Sequence, residues 1–304
     1  MTHNDQPEFD NPMIELRFAL AEGDAVDASD ALRQRVLSAA ADARTPGVAV
    51  DAPEWISGAD AFRRAVVSLD ELLGSLSGHE WLQPALRDLD VQGLIGHLIG
   101  VEEAFTATLL GAEDLADHVE DTQPAALRQR GTAPLETHRQ WFDAATASIA
   151  LLEDLDLSAP VSFYGVTLPL DLVLVIRAFE MWIHDEDIRR ETRRELSSPD
   201  SERLARMVGL VSMLLPAGIA RSGHAHDGAT ARLVLTGNAG GTWDVNLDGS
   251  AEPRSATTRI VLDAAEFCRV VGNREDQVSS GAVVTGDATI AAGVLIGASA
   301  LALD

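Results

Sequence analysis

Apolar residues recur at helical spacing along most of the chain as far as Pro199, and at strand spacing only beyond it. In ADAFRRAVVSLDELLGSL, Phe62, Val66, Leu69 and Leu73 share one face, which predicts an amphipathic helix. A second helix is predicted over VQGLIGHLIGVEEAFTATLLG, with Asp90 as its N-cap. A third follows in APLETHRQWFDAATASIALLEDL, and a fourth from about Leu168 to Glu195. The acidic segment AEDLADHVEDTQP reads as a solvated connection, and SAPVSFYGVTLP as a loop or short strand. Four long helices joined in this way predict an antiparallel bundle.

After Pro199 one more apolar helix is predicted, from about Ser201 to Ser222, with Pro216 as a break. ARLVLTG, TWDVNLDG and TRIVLDA then read as short strands between glycine-rich turns, accompanied by helical AAEFCRVVG and DATIAAGVLIGASALAL. The fold class is therefore α+β. The predicted organisation is an N-terminal extension over 1–56, a helical bundle over 57–199 and a smaller α+β domain over 200–304. Within the extension, residues 1–12 read as disordered, 13–43 as two short helices, and Thr45 to Trp55 as a linker.

Composition narrows the function classes. A formal net charge of -25 disfavours nucleic acid and anionic lipid surfaces as partners. The N-terminus has no basic start and no apolar core, unlike a signal peptide. The apolar run Met207 to Ala220 is too short to span a bilayer. Cys268 is the only cysteine, so a thiolate metal cluster is excluded and a cytoplasmic setting is the expectation.

The chemistry-bearing pattern lies in the fourth helix. Arg177, Glu180, His184 and Asp187 fall within about 80° of one another at about 100° per residue, on an otherwise apolar circumference. Glu180 and His184 are one helical turn apart and able to hold one cation together. His97, on the core side of the second helix among Gly93, Gly96 and Gly100, offers a further nitrogen. His, Glu and His form a donor set suited to zinc or another divalent first-row metal. By spacing alone the blander readings outweigh this one: a hydrogen-bonded core histidine at 97, a solvated pair at 180 and 184, and an ordinary Arg177–Glu180 ion pair. Asp187 is placed to orient a ligating imidazole, whereas Asp185 and Glu186 read as solvated.

VQGLIGHLIGVE and TLPLDLVLVIRAFEMWIHDEDIRR resemble the mycothiol-dependent maleylpyruvate isomerase family, within the DinB-like metal-dependent superfamily. The resemblance extends over about residues 57–304, and the tail is similar to that family's sterol-carrier-like C-terminal domain. It implies a four-helix bundle that binds a divalent metal, usually zinc, through His97, Glu180 and His184. It also implies a small thiol cofactor such as mycothiol, a small electrophilic substrate, and isomerisation or S-transfer. Arg274, in VGNRED, matches the arginine that points at the active site in these isomerases, where it would hold a substrate carboxylate.

Two readings from other classes stay open: a non-catalytic small-molecule binding protein on the same scaffold, and a regulatory or interaction protein that docks through 13–43. His224 and His226 read as solvated loop residues, and Cys268 as a packed thiol.

Overall fold

The computed structural model describes residues 53–112, 118–252, 254–275 and 280–302. The expectations for 1–12 and 13–43 lie outside them.

Four long helices form the bundle: α1 (Gly58–Gly74), α2 (Val91–Leu109), α4 (Pro134–Leu151) and α5 (Leu170–Glu191), with the shorter α3 (His118–Arg128) between the second and third. Their starts are chemically marked. Ser57 accepts from the Asp60 amide, Asp90 accepts from the Gly93 amide at 2.7 Å, and Pro134 opens α4 where no amide partner is needed. Strands β1 (Pro84–Leu86) and β2 (Leu89–Asp90) form a small hairpin that leads into α2. Strands β3 (Pro160–Phe163) and β4 (Val166–Pro169) form a second hairpin that leads into α5. Its two-residue turn sets Tyr164 at φ 48° and Gly165 at φ 77°, the left-handed pair that a tight hairpin requires.

Helix α3 corrects the reading of AEDLADHVEDTQP as a solvated connection over residues 118–124, while 113–117 lie outside the described residues. It continues through Pro124 and lies against α2, with Thr122, Ala125 and Ala126 buried. Its close approach explains two glycines of α2. A Cβ on Gly96 would stand 2.8 Å from the Ala126 Cα, and one on Gly100 would stand 2.9 Å from the Ala125 Cβ. The glycines make room for a neighbouring helix, and small residues on that helix complete the fit.

Helix α6 (Ser201–Arg221) runs through Pro216 over nearly the whole expected span. It is long and apolar enough to cross a membrane by length and composition, but half of its most apolar window is buried inside the fold. Beyond it lies a four-stranded sheet in the order β6 (Gly241–Asn246), β5 (Thr230–Thr236), β7 (Thr258–Asp263) and β8 (Val283–Thr285). Strands β5 and β7 are parallel, and the two outer pairings are antiparallel. Helices α7 (Ala264–Val271) and α8 (Ala288–Ser299) are capped by Asp263 and Asp287 and pack on β5 and β7. Ala231, Leu233, Leu235, Ile260 and Leu262 join one apolar cluster that continues into the bundle. Cys268 on α7 is fully buried in that cluster, as a packed thiol should be. The fold is α+β, with a helical N-terminal bundle and a smaller mixed region.

Replacing Gly96 with Ala should push α3 off α2 and cost about 1–3 kcal/mol in urea unfolding, the usual penalty for overpacking. Gly78→Ala, where an added Cβ meets nothing within 4 Å, should change stability by less than about 0.5 kcal/mol.

Candidate metal centre

The α2–α5 interface brings His97, Glu180 and His184 together. One donor atom from each lies within 4.8 Å of the others. The His97 Nε2 is 3.5 Å from the Glu180 Oε1, and the two imidazole rings meet edge to face with centroids 5.5 Å apart. His184 is buried, while His97 and Glu180 retain slight exposure.

Each imidazole is held from behind. The His97 Nδ1 is 2.8 Å from the Thr122 hydroxyl on α3, and the His184 Nδ1 is 3.0 Å from an Asp187 carboxylate oxygen. A carboxylate can only accept, so the His184 Nδ1 donates to it, and in the neutral ring the Nε2 presents a lone pair. Burial pushes the Asp187 carboxyl up, but hydrogen bonds from Arg274 and His184 outweigh it and hold the group below the ordinary carboxylate range.

The carboxylate ligand is held by a buried ion network. Arg177, which follows the apolar run Leu172–Ile176 of α5, is fully buried; its Nη1 donates to the Glu180 Oε2, and its Nη2 donates to the Glu102 Oε1 at 2.5 Å. Glu102, also fully buried, takes a further bond from the Ser148 hydroxyl at 2.9 Å. Burial works against the charged guanidinium, but its two carboxylate partners more than compensate and raise its pKa. Glu180 thus has one oxygen committed to Arg177 while the other faces the histidines.

Arg274 lies at this site, but its guanidinium faces a protein carboxylate. Its Nε and Nη2 donate to the two oxygens of Asp187 at 2.8 and 2.7 Å, and its Nη1 donates to the Gly272 carbonyl. Arg274 therefore braces the His184 support and also lines the adjoining cavity. The expectation that Asp185 and Glu186 are solvated is corrected. Both are buried, Asp185 against Arg189 at 2.5 Å and Glu186 in a forked pair with Arg269 of α7 at 2.6 and 2.9 Å. Acidic side chains survive burial because arginines meet them. His224 and His226 stand apart from the cluster, with their Nδ1 atoms near local backbone oxygens.

A cavity of about 190 Å³ opens beside the cluster between α5 and α6. Glu180 and His184 reach its wall, as do Ile176, Phe179, Leu210 and Leu214.

Residues 62–189 match the family model of the mycothiol maleylpyruvate isomerase N-terminal domain. The match falls on the bundle and includes His97, Glu180 and His184. The solved structures similar to this chain include the mycothiol-dependent maleylpyruvate isomerase and a mutant form of it. Each is 14% identical, with a TM-score of 0.54, over 76% of this chain and 92% of the other, a likeness that establishes the fold. A comparison with curated proteins gives no significant match. At this site, sequence reasoning missed Glu102 and Thr122. Glu102 carried a faint signal, since a fixed positive charge in the middle of an apolar helix requires a counter-ion.

Arg177→Met should leave Glu102 and Glu180 buried without their cation and cost about 3–5 kcal/mol in chemical unfolding. Arg128→Met, which breaks an exposed pair with Glu103, should cost at most about 1 kcal/mol.

Proposed function

We propose that the chain is a metal-dependent enzyme of the maleylpyruvate isomerase type, using a small thiol such as mycothiol on an electrophilic small molecule. The single observation that carries this reading is the convergence of His97, Glu180 and His184 with each imidazole Nδ1 held from behind. Two imidazole nitrogens and one carboxylate oxygen suit a divalent first-row ion, with zinc the leading candidate.

The charge balance supports the same reading. Around the cluster three carboxylates, Glu102, Glu180 and Asp187, face two guanidinium groups, Arg177 and Arg274. One negative charge is left over at a largely buried site. A divalent cation with one anionic ligand would neutralise it, whereas a divalent cation alone would overshoot.

When bound there, such an ion acidifies a coordinated thiol, as it does a coordinated water, and so supplies a thiolate near neutral pH. The protein contributes placement. Thr122 and Asp187 fix the two rings, and Arg177 orients Glu180. The apolar cavity walls exclude water from the substrate side. A thiol that adds to an activated double bond and later leaves after bond rotation produces isomerisation, and one that remains produces S-transfer. Arg274 acts as a positioning residue through Asp187 in this scheme. The functional division is residues 57–199 for the metal centre and 200–304 for the brace and cavity wall, in a cytoplasmic setting.

Purified protein should contain stoichiometric divalent metal, and His97→Ala or His184→Ala should retain little. Turnover of an activated cis-alkene should require both metal and added mycothiol. A chelator should lower thermal stability, because an ion at about a hundred times its Kd contributes about 2.7 kcal/mol to the native state. Equal, near-zero metal in the wild type and both variants would end this reading. The cavity favours one alternative, a binding protein without turnover; copurified ligand with no thiol-dependent reaction would select it.

A further inference from the structure

The cavity beside the histidine cluster has a composition that narrows its occupant. Ile176, Phe179 and Ile183 from α5 face Leu210, Leu214 and Ala217 from α6 across it. Val166, Val271 and Leu301 add further apolar wall. The positions on α6 follow one helical stripe that ends at Arg221, in the last turn of the helix. Arg221 is exposed at the cavity edge, and its guanidinium makes no ion pair or hydrogen bond with the described residues. Arg274, the other arginine on the wall, already donates through Nε and Nη2 to both oxygens of Asp187.

A small dianion would fit this lining poorly. It would need two cationic partners, yet one of the two arginines is bound to a protein carboxylate. The rest of the wall would desolvate the second charge without repaying it. An elongated apolar molecule with one anionic end fits both features, burying its body along α5 and α6 and leaving its charge at the solvent edge.

We propose that this cavity takes an amphipathic monoanion, with its apolar body between α5 and α6, its anionic group at Arg221 and its reactive carbon beside Glu180 and His184. As a statement about substrate class this rests on the enzymatic reading above, while the binding it describes depends only on the cavity. Arg221 is then the specificity-determining residue. A carboxylate–guanidinium contact has the strength of a hydrogen bond to a charged group, so its loss should weaken binding about tenfold or more.

The test is calorimetric titration with octanoate, octanol and maleate, on metal-loaded and on chelator-treated protein, for the wild type, Arg221→Gln and Ala217→Trp. Octanoate should bind one site per chain, and more tightly than maleate. Arg221→Gln should weaken octanoate about tenfold or more and leave octanol within about twofold. Ala217→Trp, which fills the cavity edge, should weaken both. Maleate binding more tightly than octanoate, or octanoate binding unchanged in both variants, would overturn the proposal. Metal content is measured on the same samples. Octanoate binding to protein that never holds metal would sink the catalytic reading and leave the cavity assignment standing, and the reverse result would sink the cavity assignment alone.

Discussion

A guanidinium with no access to water organises this molecule. Arg177 projects from α5 into the bundle core, and its charge is tolerable there only because Glu102 of α2 and Glu180 of α5 both reach it. That requirement sets the register of the two helices. Sliding either helix by one turn would strand a charge. The same register brings His97 opposite Glu180 and His184. The site geometry and the stability of the bundle therefore depend on one shared electrostatic condition.

A second set of pairs ties the α+β region to the same helix. The consecutive acids Asp185, Glu186 and Asp187 are all buried, and each meets a different arginine: Arg189 on its own helix, Arg269 on α7, and Arg274 just beyond α7. Arg190 adds a hydrogen bond to the Arg274 carbonyl and an ion pair with Glu275. The orientation of His184 is thus set through Asp187 by a residue from the C-terminal region. The packing of α7 against α5 is part of the site as well as its cover.

Much of this was readable from residue spacing. The four bundle helices, strands β5, β6 and β7, and the stripe holding Glu180, His184 and Asp187 follow from periodicity, whereas the three-residue β8 is too short to show one. Periodicity failed where a partner came from far along the chain. Asp185 and Glu186 look like surface charge until Arg189 and Arg269 are placed beside them. Helix α3 escaped notice because acids and Pro124 mimic a loop, and its support is tertiary: the glycine faces at 96 and 100 accept it closely. With α3 unseen, Thr122 had no route to His97. His97 itself looked like an ordinary core residue, because pairing between helices leaves no mark on a single helix pattern.

The lone cysteine gains meaning in this setting. Cys268 lies fully enclosed on α7, and burial pushes its thiol far from ionisation at neutral pH. The polypeptide therefore offers no accessible thiol to a reactive carbon. A catalyst handling alkylating molecules would be spared thiol alkylation of its own chain through this route.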